Sequence, residues 1–367
     1  MHARRLLTAA LSLATGLSIA MPGLTATARE KGTTFRQTNL VTDDQTKAKA
    51  TFTDPDLVNP WGISSSRTSP MWVSDNGMGV TTLYRGDGSK VPLTVTIPPA
   101  TGTASGTKGT PTGTVFNNNN GNGAGEFNGD FFLFATEDGT IAGWKPSDGT
   151  VARTEVKNPN VETGPVFKGL AIGFDGLSDH LYAANFRSGK VDVFNTDFSP
   201  AGSFTDPRIP NGYAPFNVQN LGGALYVAFA KQDAAKHDDV AGRGHGFVDR
   251  FDLNGNLLDR LISHGQLDSP WGLAIAPASF GSLAGDLLVG NFGDGRINAY
   301  RLADGDFEGA LRDVGTGRPI AIDGLWALRP GNGGGGTNGG DPNAIYFTAG
   351  IDHEMHGLFG TIKNAGS

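Results

Sequence analysis

Oxygen-bearing side chains recur at the ends of short apolar runs in this chain. Asn76 closes Met71-Trp72-Val73-Ser74-Asp75-Asn76, Asn185 closes Leu181-Tyr182-Ala183-Ala184-Asn185, and Asn291 closes Leu287-Leu288-Val289-Gly290-Asn291. Glu137 follows a similar run, Phe131–Thr136. Hard cations such as Ca²⁺ take six to eight oxygens from carboxylates, amides, carbonyls and waters. Gathered in one place, these residues could hold one divalent cation, with Glu137 as the charged ligand. Asn and Asp are equally at home where a strand ends in a turn, because their side chains cap nearby backbone groups. Which chemistry applies depends on whether the fold brings the run ends together.

The histidines are few and clustered. His237, Asp238, Asp239 and His245 fall in one stretch, Lys231–His245, and His353, Glu354 and His356 in another. A His beside a metal can act as a general base on water or on a lactone carbonyl. His245 and His353 are the catalytic candidates on this basis, and exposed loop histidines are the bland alternative. No Gly-x-Ser-x-Gly elbow, Walker loop or dinucleotide fingerprint in a strand–helix context accompanies them.

The elements that must position these residues are repeats. Pro60-Trp61-Gly62-Ile63-Ser64 returns as Pro270-Trp271-Gly272-Leu273-Ala274, with looser copies at Phe167-Lys168-Gly169-Leu170-Ala171, Pro215-Phe216-Asn217-Val218 and Asp323-Gly324-Leu325-Trp326. Taking residues 62, 113, 169, 217, 272 and 324 as equivalent gives spacings of 48 to 56 residues. Strands repeating at such a period indicate a β-propeller. The fold expected is all-β: a six-bladed β-propeller of four-stranded blades. Asp138-Gly139 and Asp294-Gly295 mark hairpins between the second and third strands. The last repeat lacks an outer strand after Leu358–Ile362, and Thr34–Val41 has no blade of its own. This N-terminal strand is expected to close the ring and remove the open edge.

In a propeller the innermost strands line the channel. Their starts, and the ends of the second strands, face one mouth. That places Asn59, Asn217, Asp268 and Asp323 beside Asp75, Asn76, Glu137, Asn185, Asn291, Asp352 and His353. Of these, Asn59, Asp75, Asn76, Asn217 and Asp323 are the expected ligand-binding residues. Trp61, Trp271 and Trp326 either pack between blades or line the channel and stack on a ring-shaped ligand. The Asn/Gly stretches Asn117–Gly125 and Gly331–Gly340 read as solvated linkers between first and second strands.

Composition narrows the partners. The chain has 367 residues, 55 Gly, 20 Pro and no Cys. Arg4 and Arg5, the apolar stretch Leu6–Ala20 and Ala26-Thr27-Ala28 read as a signal peptide over residues 1–28. Residues 29–367 are then a single propeller domain. Removing residues 1–28 takes away two arginines and no acid, moving the net charge from −7 to −9. Such a chain is expected to be secreted (extracellular or periplasmic) and monomeric. It is expected to bind no nucleic acid and to have no membrane span.

Asp54-Pro55-Asp56-Leu57-Val58-Asn59-Pro60-Trp61-Gly62, Trp72-Val73-Ser74-Asp75-Asn76-Gly77, and Phe347-Thr348-Ala349-Gly350-Ile351 with His356-Gly357-Leu358-Phe359-Gly360 resemble a largely uncharacterised family of exported bacterial six-bladed propellers. The layout is more distantly similar to NHL-repeat propellers and to gluconolactonase/paraoxonase-type propellers. The latter resemblance implies a divalent cation in the channel, with Glu137, Asn185 and Asn291 as metal ligands, and hydrolysis of lactones or esters. Two function classes follow. One is a secreted propeller that binds a small molecule, glycan or protein ligand at its channel mouth. The other is a metal-dependent hydrolase of a lactone or ester.

Overall fold

The computed structural model describes residues 33–118 and 125–366. The signal-peptide expectation for residues 1–28 lies outside the described residues. Six antiparallel sheets surround one axis, and blades 1 to 5 have four strands each. Their innermost strands are Pro60–Ser64, Pro111–Phe116, Phe167–Phe174, Tyr213–Leu221 and Pro270–Ile275. Blade 6 runs outward from Leu325–Pro330 through Ala344–Ala349 and Leu358–Asn364.

Its next strand is Thr34–Thr42, which pairs antiparallel with Leu358–Asn364 in the register Gln37 to Ile362 and Thr38 to Thr361. The N-terminal closure expected from Thr34–Val41 is therefore present. The edge is covered further by Phe52–Thr53 and Arg312–Asp313, which pair with the closing strand in parallel.

Glycines recur at the inner strands because six strands converge on one axis. A Cβ at Gly62 would lie 2.6 Å from the Thr112 carbonyl oxygen, and one at Gly272 would lie 2.6 Å from that of Trp326. Real Cβ atoms do not approach so closely, so a side chain there would force the blades apart. The contacts also correct the repeat phase in blade 6. Trp326-Ala327 takes the place of Trp-Gly, three residues after Gly324. Gly324 instead sits at φ 61° in the turn before the strand.

The three period-matched tryptophans pack, and they pack at the axis. Trp61 and Trp326 stack with ring centroids 3.5 Å apart, Phe292 stacks on Trp326 at 4.0 Å, and Trp271 meets Trp61 edge-on at 6.1 Å. Phe216 touches Trp326 at 5.7 Å and Phe186 at 5.3 Å. These contacts join blades 1, 3, 4, 5 and 6, which only an axial cluster can do. Each tryptophan is at most 2 % exposed. Burial of a large aromatic stabilises by about 2–3 kcal/mol. The channel thus has an aromatic plug at mid-height and two separate ends.

Gly331–Gly340 is folded against blade 1 rather than free. Gly86 N–H donates to Thr337 O at 2.8 Å, and Asn332 Nδ2 donates to Ser66 O at 2.6 Å.

Candidate functional site

One end of the channel, which we term the upper mouth, carries a continuous polar network resting on the plug. Its centre is Lys168 of blade 3, in the repeat position that holds Trp61 in blade 1 and Trp271 in blade 5. The side chain is 2 % exposed. Its Nζ lies 2.5 Å from Glu137 Oε1 and 3.2 Å from Asp238 Oδ1. It also sits 5.2 Å above the Trp61 ring and 6.0 Å from Phe186, so ring quadrupoles add to the stabilisation of the charge. Burial alone would lower the ammonium pKa. The charges of Glu137 and Asp238 outweigh it, and the net shift is upward.

The network continues on both sides. Asn76 Nδ2 donates to Glu137 Oε2 at 2.7 Å, and Asn59 Nδ2 donates to Glu354 Oε2 at 2.7 Å. Trp326 Nε1 donates to Asn59 Oδ1 at 3.0 Å, which ties the plug to the mouth. His237 Nδ1 is 2.8 Å from Asp238 Oδ1. That bond, with the Lys168 charge, holds Asp238 well below the usual carboxylate range against the opposing effect of its burial.

Glu354 behaves oppositely. Burial, reinforced by the neighbouring Glu137 charge, pushes its carboxyl up to about 7, although the Asn59 hydrogen bond pulls it down. Its backbone is unusual too. Asp352, His353 and Glu354 have φ of 55°, 58° and 64°, three consecutive non-glycine residues in the left-handed region. Each costs of order 1 kcal/mol. The turn is held by Asp352 N–H to Asp323 Oδ2 at 2.8 Å, by the Lys47–Asp352 ion pair at 2.5 Å, and by His356 Nδ1 against Asp43 Oδ2 at 2.7 Å.

Of the residues selected from the sequence, Asn59, Asn76 and Glu137 meet in this network. Asp323 supports the turn at its rim. Asp75 does not face the mouth. It is fully buried inside blade 1, accepts a 2.8 Å bond from Thr82 Oγ1, and is pushed well above the usual carboxylate range by burial. Asn185 and Asn291 cap turns: Asn185 bonds Asp192 and the Ser188 N–H, and Asn291 bonds Gln266 O and Asp294. Asn217 is fully buried on the other side of the plug, bonded to Trp271 O. His245 is bonded to Val240 O within its own loop, and His353 projects as an exposed side chain.

A cation site can be tested on these residues. Ligand atoms of Glu137, His237 and Asp238 lie within 4.8 Å of one another. With Lys168 Nζ bonded to both carboxylates, an added divalent ion would sit beside a buried ammonium. The three donors fit a metal only if Lys168 moves away.

No protein-family model matches the chain. Proteins of Acanthamoeba polyphaga mimivirus are similar to it along most of its length. "Uncharacterized protein R648" is 34% identical over 324 residues, covering 86% of this chain and 77% of the viral one. "Uncharacterized protein L690" is 34% identical over 326 residues, covering 85% and 82%. The chain belongs to this family. These relatives are viral, so the bacterial origin implied by the sequence resemblance is not supported. Among solved structures, the apo form of the soluble aldose sugar dehydrogenase of Escherichia coli aligns with TM-score 0.55 at 12% identity, covering 90% of this chain and all of that one. Virginiamycin B lyase of Staphylococcus aureus aligns with TM-score 0.52 at 15% identity, covering 90% and 99%. Both likenesses are of fold.

Proposed function

We propose that this protein is a binding propeller whose ligand is a small polar molecule, of the saccharide class, received at the upper mouth. The observation that carries this is the enclosed Lys168, compensated by Glu137 and Asp238 and joined to a strained turn that presents Glu354. Buried ionisable groups cost free energy and gather where a ligand is recognised. A polyhydroxylated ligand would replace water around several acceptors and donors at once, above an apolar floor. In this reading Lys168 supplies the positive charge that a bound Ca²⁺ would otherwise bring. Secretion and a monomeric state, resting on residues 1–28 and the acidic balance, are part of the proposal. No helix of the described residues is long and apolar enough to cross a membrane.

The test is a thermal-shift and calorimetric series with mono- and disaccharides and with glucono-δ-lactone, on wild type and on Glu354→Gln. A saturable response to at least one sugar, weakened in the variant, is expected. A response that is equal in both proteins, or absent from both, would refute the site. A lactone or ester hydrolase at the same mouth is the second reading, favoured by Glu354 at about 7, a value suited to a general base. Turnover of the lactone that is lost in Glu354→Gln would favour it.

A further inference from the structure

Below the plug, the channel opens into a cavity of about 220 Å³. Its walls come from the inner strands of blades 1, 2, 4, 5 and 6 and are mixed: Ile63, Leu273, Ile275 and Leu328 supply aliphatic surface, and Thr114, Asn217, Gln219 and Asn220 supply polar surface. One charged side chain lines it: Arg329, at the end of the blade 6 inner strand. Its Nη2 donates to Ser65 O at 3.3 Å and to Ser65 Oγ at 3.2 Å. Its Nε is shut away from solvent and has no partner among the described residues.

Half-buried arginines on the outer strands are matched with acids. Arg260 pairs with Asp206 and Asp249, and Arg153 with Asp130, Asp148 and Glu155. No carboxylate of the described residues forms an ion pair with Arg329. Burial, with nothing opposing it, pulls its pKa down to about 10. The guanidinium still carries its charge at neutral pH. An uncompensated cation whose Nη1 and Nε donate to no group of the described residues is costly to keep. Gln219, also in the wall, makes no side-chain hydrogen bond to the described residues and adds an uncommitted amide.

We propose that this lower cavity binds a small organic carboxylate, its apolar body against the aliphatic wall and its two oxygens on Arg329. A planar carboxylate matches the guanidinium fork. A dry cavity of about 150 Å³ already accepts benzene, so the volume suits a ligand of benzoate size. The site is separate from the upper mouth and does not depend on what binds there.

The experiment uses the whole chain and sodium benzoate, with benzamide, hexanoate and inorganic phosphate as further arms. Trp271 lines the cavity, so intrinsic tryptophan fluorescence reports occupancy. Benzoate and hexanoate should give saturable changes, benzamide and phosphate weak ones or none. Arg329→Met should weaken benzoate at least about ten-fold, the scale of charged hydrogen bonds, while Glu354→Gln leaves it unaltered. Arg329→Lys, which keeps the charge without the fork, should fall between. No benzoate response in wild type, equal binding of benzamide, or undiminished binding by a folded Arg329→Met would each overturn the proposal. A response to phosphate alone would overturn the carboxylate assignment.

Discussion

The two ends of one channel solve the problem of buried charge in opposite ways. At the upper mouth Lys168 is almost fully enclosed, yet two carboxylates and two aromatic faces compensate it. At the lower end Arg329 has neutral walls, part aliphatic and part amide or hydroxyl, one serine as hydrogen-bond partner and no acid. A compensated cation is a structural member, and removing it strands its partners. An uncompensated one is tolerated at a cost, and removing it relieves that cost. The comparison separates a charge that holds the molecule together from one held ready for something else.

The largest effect should come from a change that destroys both ends. Blade 6 supplies Glu354 above and Arg329 below, and Thr34–Thr42 closes it. Deleting residues 34–42 should lower the melting temperature by more than about 10 °C or prevent folding, since the outer edge of Leu358–Asn364 is left unpaired. An unchanged melting curve would break the closure picture.

The next test sets the two cations against each other. Lys168→Met should destabilise by about 3 kcal/mol at pH 7, the low end for breaking a buried pair, because Asp238 is largely exposed. Arg329→Met should change stability by less than about 0.5 kcal/mol or increase it. Denaturant titrations of the pair give the answer, and equal losses would erase the distinction. The Lys168 contribution should hold across neutral pH. Its raised pKa keeps it present until alkaline pH, and the lowered pKa of Asp238 keeps the partner charged until strongly acid pH.

A smaller effect concerns Glu354. Its folded pKa is raised, so the unfolded state gives up the proton first and stability should fall as pH rises from about 4.5 to 7. Glu354→Gln keeps an acceptor for Asn59 and removes the titration. It should match wild type at pH 4 and exceed it by about 2–3 kcal/mol at pH 8. A constant difference across that range would remove the carboxyl from the network. Smallest of all, His245→Ala and His353→Ala should stay within about 0.5 kcal/mol of wild type and leave the saccharide response unaltered.

Much of the architecture is legible in sequence because it repeats. The glycines at 62, 113, 169 and 272 mark where strands crowd the axis, and the Asp-Gly pairs mark hairpins. The site is legible only in part. Asn76 and Asp75 are neighbours in a turn sequence, but successive strand residues point to opposite sides, and Asp75 turns into the blade. Lys168 carries a signal that is easy to pass over: a lysine where the repeat has tryptophan, on a channel axis where a charge must be compensated. Asn185 and Asn291 have the same residue type at the same strand end as Asn76, so pattern alone does not separate cap from site. Glu354 depends on three left-handed residues in a row, which no local propensity favours.

The closing strand also has a temporal consequence. The bond from Thr42 Oγ1 to Gly357 O joins residues 315 apart, at the start and finish of the propeller. Among the described residues, the strand Thr34–Thr42 therefore has only the short Phe52–Thr53 and Arg312–Asp313 to pair with until its antiparallel partner, Leu358–Asn364, has been made. Contacts of such separation pay loop-closure entropy before they return any stability, and they slow folding. Ring closure should be the late, slow event in the maturation of this protein, and every chain shortened before Leu358 would expose an open sheet edge to its neighbours.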